Sequence, residues 1–353
     1  MNCIQSPRQD RIRRSTVRSN FAILLSACCG IVISIAASAD GEERTATKPS
    51  ASQPDTVEVA TIAMHSKLGE PEANLDRVEE WAIKAHRRGA TFAVFPEECI
   101  TGSLNKSSLT RPEAAKIAET ASKMARPRLE AICRKLEMTL VVGIIEPSTG
   151  DKLSNNALII GPKGYLATFT KLQLPNENEL AWFTVGETLP VVTSQGWIFS
   201  VGIGADMHVP EYFRMAARNG AEFMLLPAGG SDGAELVGAD GDQKRQAISH
   251  KTLHMEFLPE RALESGLYIF YANQAGHSGT DWFPGLALAV DPTGQLVDEH
   301  LPTEGIIVTE MSRKEMTAAR KARKPATITL VSQPVSLKNS SSQPVQIKKI
   351  GEP

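Results

Sequence analysis

Short apolar runs rich in Val, Ile and Phe alternate with segments of helical periodicity along most of this chain, and no other feature constrains the fold more. A strand is predicted over Val57–Ala63 and a second over Thr91–Phe95. Between them, apolar residues recur at helical spacing after Asn74, which is a suitable N-cap residue. Strands that alternate with helices in this way are typical of an α/β protein.

The later chain continues the pattern. One or two helices are predicted between Arg111 and Glu137, with a break at Pro127, because proline removes a helix hydrogen bond. Pro162-Lys163-Gly164 is predicted to be a hairpin turn. Further strands are predicted at Thr139–Ile144, Asn156–Ile160, Ile198–Gly202, Phe223–Leu226, Tyr268–Ala272, Leu286–Val290 and Gly305–Thr309, with helices after Val209 and before Gly266.

Residues 1–39 have the composition of a targeting leader rather than of a fold. Several arginines precede a nearly uncharged apolar run over Phe21–Ala36, and Ala37-Ser38-Ala39 forms an A-x-A cleavage site. This pattern favours a signal peptide and an extracytoplasmic protein, periplasmic or secreted; a retained membrane anchor is the alternative. Leu25-Ser26-Ala27-Cys28 also resembles a bacterial lipobox, which would place a lipid on Cys28 and tether the mature protein to a membrane.

The remaining chain divides by composition. Residues 40–55 are polar and aperiodic, as in a linker. A domain is predicted over 56–315 and a C-terminal extension over 316–353, extended or disordered from about Arg320 apart from a short strand at Thr327–Val331. A chain of 353 residues, 42% of them hydrophobic, can bury a large core. Its net charge of -2 and the lack of a basic stripe argue against nucleic acid and favour a small-molecule ligand.

Cysteine and histidine residues give no prediction of a metal or cofactor. Outside the leader the cysteines are Cys99 and Cys133, for which a disulfide and two buried thiols are both compatible with the sequence. His250 and His254 are spaced i, i+4 on a predicted helix, but Lys251 replaces the Glu of H-E-x-x-H and no third ligand is evident. We therefore expect solvated or core histidines, and no metal.

Candidate catalytic or ligand-binding residues lie in three segments of the sequence. Glu97, in Phe95-Pro96-Glu97-Glu98, follows a predicted strand, where open α/β sheets place ligand-binding groups. Lys171, in Thr170-Lys171-Leu172-Gln173-Leu174-Pro175, follows the hairpin. Gly204 lies in a tight turn between a strand and a helix that begins near Pro210, so the turn lies beside helix N–H groups. Taken alone, the Glu97 segment also fits an ordinary surface turn, Lys171 also fits a solvated lysine, and the Gly204 segment also fits an ordinary strand-to-helix connection.

Together the three segments resemble the nitrilase-like carbon–nitrogen hydrolase superfamily, in unbroken order from about Val57 to Thr309. The resemblance implies an α-β-β-α sandwich of two packed mixed sheets, commonly paired through its outer helices into a homodimer or higher homo-oligomer. The matching motifs are Gly89-Ala90 with Pro96-Glu97, Asn155-Asn156-Ala157, Lys171 with Leu174-Pro175 and Glu179, Gly186-Glu187, Arg261-Ala262-Leu263-Glu264 and Asp291-Pro292-Thr293-Gly294.

In that superfamily a cysteine thiolate attacks an amide or nitrile carbon. The resemblance implies that Glu97 is the general base, that Lys171 stabilises the oxyanion, and that Glu179 helps to orient the lysine and the substrate. The chemistry needs the three groups within hydrogen-bond reach of the nucleophile, because the carboxylate activates the thiol and the ammonium offsets negative charge.

The nucleophile itself is missing from the motif. Where the family has Ile-Cys-Tyr-Asp, this chain has Ile203-Gly204-Ala205-Asp206, so Gly204 leaves the nucleophile position vacant and Ala205 removes the aromatic ring. His208, four residues beyond Gly204, is predicted at the edge of the pocket beside Ala205.

The expected function is therefore an exported family member that is catalytically impaired or non-hydrolytic and retains a pocket for a small amide or carboxylate. The alternative is an active hydrolase of non-peptide C–N bonds, in an amide, nitrile or ureido compound, that uses water activated by Glu97.

Overall fold

The computed structural model describes residues 54–233, 242–279, 281–322 and 337–353, which belong to one compact unit over Ser52–Pro353. The predicted leader with its lipid site at Cys28, nearly all of the predicted linker, and the predicted strand at Thr327–Val331 lie outside the described residues. In the part of the chain described, no helix is long and apolar enough to cross a membrane.

The strands and helices alternate in the order that the sequence predicts. The strands are β1 (Thr56–Ala63), β2 (Phe92–Val94), β3 (Thr139–Pro147), β4 (Leu153–Gly161), β5 (Gly164–Thr170), β6 (Thr188–Ser194), β7 (Trp197–Val201), β8 (Phe223–Ala228), β9 (Asp232–Gly233), β10 (Tyr268–Asn273), β11 (Ala275–Ser278), β12 (Asp281–Pro284), β13 (Ala287–Val290), β14 (Leu296–His300), β15 (Gly305–Ser312) and β16 (Gln346–Ile350). The helices are α1 (Pro71–Arg87), α2 (Arg111–Leu136), α3 (Glu177–Trp182), α4 (Pro210–Arg218), α5 (Asp242–Ser265) and α6 (Arg313–Ala322), with 3₁₀ turns at Leu104–Lys106 and Gly204–His208.

Two large sheets organise the molecule. One has six strands in the order β15-β1-β2-β3-β4-β5, and the other has seven in the order β14-β13-β10-β8-β7-β6-β16. Both sheets are mixed. In the first, β2 is parallel to β1 and β3, while β4 is antiparallel to β3 and to β5. In the second sheet β8 is parallel to β7 and β10, and β13 is antiparallel to β10. A small third sheet has the order β11-β12-β9.

The core lies between the two large sheets and is largely aromatic and aliphatic. Phe92 of the six-stranded sheet packs edge to face against Phe199 and Phe223 of the other, with ring centroids 5.7 and 5.3 Å apart. A second apolar cluster lies between the six-stranded sheet and helices α1 and α2. Helices α4 and α5 contribute buried side chains from the opposite side. The structure therefore confirms the predicted α-β-β-α sandwich of two packed mixed sheets.

Two local predictions about helices are wrong. Asn74 is not the N-cap of α1, which begins at Pro71; the Asn74 side chain is buried and bonds both backbone groups of Lys67. Helix α2 also continues through Pro127 without a break. Buried residues on both sides of the proline, Ala125 and Leu129 among them, pack on the sheet, and this packing outweighs the lost helix hydrogen bond.

The C-terminal region is more structured than predicted. Residues 313–322 form α6, and β16 pairs in parallel with β6 at the edge of the seven-stranded sheet. The Glu352 carboxylate then accepts a hydrogen bond from Ser194 Oγ at 3.0 Å. The sequence of β16 did not reveal this strand, because its two isoleucines are only half buried and its partner residues in β6 lie 158 positions earlier in the chain.

Candidate active site

Glu97 lies just after β2, at the end where the two sheets approach each other. Its backbone N–H donates to Ala228 O at 3.2 Å, which joins the ends of β2 and β8. Glu97 is 5% exposed, and its side-chain Oε1 accepts from Asn155 Nδ2 at 2.8 Å. Glycine is required opposite this turn, since a Cβ at Gly143 would lie 2.2 Å from Pro96 O.

Lys171 follows β5 and is 3% exposed. Its Nζ donates to Glu97 Oε1 at 2.7 Å and to Glu179 Oε2 at 2.8 Å. Burial alone would lower the pKa of the Lys171 ammonium, but the charges of the two carboxylates outweigh burial and raise that pKa above its usual value. The structure thus brings the three predicted residues together in one buried ion cluster, in which the Lys171 ammonium lies between the carboxylates of Glu97 and Glu179.

Glu98 is a second buried carboxyl group beside Glu97. Its φ of 57° turns the chain, so that Asn155 Nδ2 reaches both Glu97 Oε1 and, at 3.1 Å, Glu98 Oε1. Burial and the nearby charge of Glu97 raise the pKa of Glu98 to about 7, while Lys106 acts in the opposite direction. The site therefore holds a carboxyl group that changes its charge near neutral pH, a residue for which the sequence analysis proposed no role.

The turn after β7 carries Gly204 at a φ of 48°, in the left-handed region. A Cβ built on Gly204 would lie 2.6 Å from Glu97 Oε2. Glu97 thus occupies the space into which a side chain at this position would project. The turn is fixed by Asp206, whose carboxylate accepts from the backbone N–H groups of Ile203 and Gln173, each at 2.8 Å. Burial raises the pKa of Asp206 to about 7.

These residues line a cavity of about 270 Å³. Gly204, Ala205 and His208 border it together with the ion cluster. His208 is exposed at the rim, where its ring packs edge to face on Phe257 with centroids 4.8 Å apart. Partial burial and, next, the charge of Arg261 lower the pKa of His208. The remaining lining residues are Glu98, Lys106, Pro175, Met207, Ala228, Gly229, Gly230, Ser231, His254 and Tyr271.

Two lining residues that the sequence analysis did not associate with the site form a buried pair. Tyr271 Oη lies 2.5 Å from His254 Nε2, and burial, followed by the charge of Glu97, raises the pKa of the Tyr271 phenol well above its usual value. His254 is thus a buried histidine of the cavity wall. Within the residues described, no group of three or more His, Cys, Asp or Glu side chains is arranged to hold a metal ion.

Both cysteines of the described chain are free thiols that lie outside the cavity lining. Cys99 Sγ is buried and donates to Gly143 O at 3.5 Å, and Cys133 Sγ donates to Ile160 O at 3.4 Å. Burial raises the pKa of both thiols, that of Cys133 to about 12. The disulfide that the sequence left open is not formed, and neither sulfur is placed to act beside Glu97.

A two-sheet sandwich with a buried Glu-Lys-Glu cluster at its strand ends is the arrangement expected of a nitrilase-type protein. Residues 58–321 match the family model described as carbon-nitrogen hydrolase, and the chain belongs to that family.

Similar proteins agree with this assignment. A nitrilase of Pyrococcus abyssi is 27% identical over 250 residues, which cover 70% of this chain and 86% of the relative. An (R)-stereoselective amidase of Pseudomonas sp. is 25% identical over 268 residues, or 75% and 88% of the two chains. Among solved structures, a mutant amidase of Nesterenkonia AN1 from the nitrilase superfamily matches with a TM-score of 0.62 and 25% identity, covering 78% of this chain and 97% of that one.

Proposed function

We propose that this protein is a carbon–nitrogen hydrolase family member that binds a small amide or carboxylate without forming a thioester. The observation that carries the proposal is the turn at Gly204. A thioester requires a sulfur at the position opposite the general base, and here a glycine faces Glu97 so closely that an added Cβ would lie 2.6 Å from Oε2. Neither Cys99 nor Cys133 lines the cavity.

The remaining groups suit the two ends of an amide. Glu97 Oε2 borders the positions of Gly204 and Gly229, where it can accept an amide N–H. The Lys171 ammonium can donate to a carbonyl or carboxylate oxygen, and such charge-assisted hydrogen bonds are strong in a buried site. A cavity of about 270 Å³ suits a ligand with few non-hydrogen atoms.

A related protein supports binding without a nucleophile. A cysteine-to-alanine mutant of the Nesterenkonia sp. AN1 amidase, 25% identical to this chain with a TM-score of 0.63, has been solved in complex with butyramide. Amide binding in this fold therefore does not require that cysteine side chain, and butyramide is a suitable first probe here.

A second candidate is slow hydrolysis by water. It is favoured by the position of Glu97 Oε2, which faces the cavity beside Gly204 while Oε1 bonds Asn155 and Lys171. A water between Glu97 and the bound carbonyl carbon would donate its proton to the carboxylate as it attacks, and Glu97 would return that proton to the nitrogen as the C–N bond breaks and the amine leaves. Loss of the nucleophile from such a catalytic unit typically costs several orders of magnitude in rate, so turnover would be slow.

Calorimetric titration of the purified mature protein with butyramide and butyrate tests the proposal. We expect saturable binding of at least one probe and its loss in Lys171→Met, with a circular dichroism spectrum like that of the wild type. Absence of binding across a panel of small amides, ureido compounds and carboxylates would refute it. Ammonia release from butyramide that disappears in Glu97→Ala would establish the second candidate instead.

We also propose that the protein is exported and that it associates through the outer helices into a homodimer or higher homo-oligomer. Export is supported by the arginines, the apolar run and the A-x-A site of residues 1–39. Association is supported by the pairing through outer helices that is common in the superfamily. Intact-mass analysis of the exported protein distinguishes cleavage after Ala39 from lipidation at Cys28. Sedimentation equilibrium measures the number of subunits, and a monomer at micromolar concentration would contradict the expected association.

A further inference from the structure

The last described segment, Leu337–Pro353, lies beyond residues 58–321 that match the family model, and we call it the strap. Its second half forms β16 at the sheet edge, and its first half folds back over the loop that follows Lys171. Leu337 is buried in the main core, so the strap is anchored at its start as well as along β16.

The strap forms hydrogen bonds to the backbone of Leu172 and of Leu174. Ser340 N–H donates to Leu172 O at 3.0 Å, and Leu174 N–H donates to Ser340 Oγ at 2.6 Å. The side chain of Gln173 adds a hydrogen bond from Nε2 to Lys338 O at 3.1 Å. One strap residue, Ser340, thus fixes two peptide groups immediately after Lys171.

A buried asparagine extends the contact to Lys171 itself. Asn339 Nδ2 donates to Gly186 O at 2.7 Å, and Gly186 N–H donates to Lys171 O at 2.8 Å. Asn339 Oδ1 accepts from the N–H groups of Ser341 and Gln343, each at 3.0 Å, which fixes the orientation of the amide. A continuous series of hydrogen bonds therefore runs from the strap to the Lys171 peptide.

The loop that the strap holds connects three groups of the cavity. It begins at Lys171, passes Pro175, and leads into α3, which carries Glu179. The Lys171 ammonium contacts Glu97 and Glu179 at 2.7 and 2.8 Å, so a shift of the loop backbone by about 1 Å would break at least one of these contacts.

We propose that the strap supports the ligand site from outside the cavity, with Ser340 and Asn339 as positioning residues that hold Lys171 where it meets the ligand. The inference rests on the proposed function in one respect, namely that Lys171 contacts the bound amide or carboxylate. It adds to the site a segment outside the part of the chain that the family model matches.

The test compares strap variants of the full-length mature chain. Ser340→Ala removes the acceptor of Leu174 N–H, and we expect butyramide affinity to fall about fivefold, the effect of one lost hydrogen bond. Ser340→Thr keeps the hydroxyl and should restore affinity to within about twofold. The matched control is Glu352→Ala, which removes strap contacts to Ser194, Gln195 and Lys163, none of them in the loop, and should leave affinity unchanged.

A second measurement does not depend on the ligand. Acetic anhydride labelling of Lys171, followed by mass spectrometry, should become several-fold faster in Ser340→Ala than in Glu352→Ala at the same distance from each variant's unfolding midpoint. Equal labelling rates and equal affinities in the two variants would overturn the proposal. If the wild-type protein binds no probe but Lys171 labelling still separates the variants, the proposed function fails and the positioning role stands.

Discussion

Alanine at position 204 tests how closely Glu97 packs against the turn at Gly204. Two costs are expected. The residue has a φ of 48°, and a left-handed conformation costs a non-glycine residue roughly 1–2 kcal/mol. The new Cβ would also lie 2.6 Å from Glu97 Oε2, and forcing extra volume into a packed site typically costs about 1–3 kcal/mol. We therefore expect Gly204→Ala to lower the free energy of unfolding by roughly 2–5 kcal/mol in total.

A second glycine separates the two costs. Gly150, in the exposed turn between β3 and β4, has a φ of 67°, and no described atom lies within 4 Å of its Cβ position. Gly150→Ala therefore carries the conformational cost without the contact, and urea denaturation should show a loss of about 1–2 kcal/mol for it. The difference between the two alanine variants measures the contact with Glu97.

A double-mutant cycle identifies the contact partner. In a Glu97→Ala background the carboxylate is gone, so Gly204→Ala should cost no more than Gly150→Ala, which gives an interaction energy of about 1–3 kcal/mol. A Gly204→Ala variant as stable as Gly150→Ala, or one whose cost is the same with and without Glu97, would contradict the contact.

Gly204→Cys carries the same two costs and adds a thiol. We expect it to hydrolyse butyramide in a reaction that iodoacetamide blocks.

Three further predictions concern the buried ionisable groups. Lys171→Met leaves two carboxylates buried without their cation and should lower the free energy of unfolding at pH 7 by about 3–5 kcal/mol, measured by urea denaturation. Because the pKa of Glu98 is raised to about 7 in the folded protein, its stabilising contribution is complete below about pH 4.5 and is lost as the pH rises through 7. Glu98→Gln should therefore gain stability relative to wild type as the pH rises from about 4.5 to 7 and gain little more above that, and a pH-independent difference would contradict this. Cys99 and Cys133 should not react with a thiol reagent in native protein but should react fully in urea; fast native labelling would contradict their burial.

Much of the fold was predictable because hydrophobic periodicity is a local signal. The sandwich, the strands that carry the site and the hairpin before Lys171 all follow from runs of a few residues together with the family resemblance. The continuation of α2 through Pro127 was not, since it depends on packing against a sheet whose strands lie elsewhere in the chain. The pairing of β16 with β6 was not predictable either, because the two strands lie far apart in the chain.

The site was predictable only in part. Glu97, Lys171 and Glu179 match a motif, and the structure brings the Lys171 ammonium within hydrogen-bond distance of both carboxylates. Glu98 was missed because strand alternation would point it away from Glu97, and only its left-handed φ of 57° turns both carboxyl groups toward Asn155. The Tyr271 contact with His254 joins a strand to a helix, and no spacing in the sequence indicates it.

The outermost strand of the seven-stranded sheet also affects how these molecules behave in concentrated solution. An uncovered strand edge is a template for pairing with another copy, and β6, with three buried aliphatic residues, would be such an edge without β16. β16 is short and presents the exposed side chains of Lys348 and Lys349, whose charges oppose the approach of a further strand. We therefore expect the C-terminal strand to limit aggregation, and chains that lack it to precipitate or form fibrils at concentrations where the intact protein remains in solution.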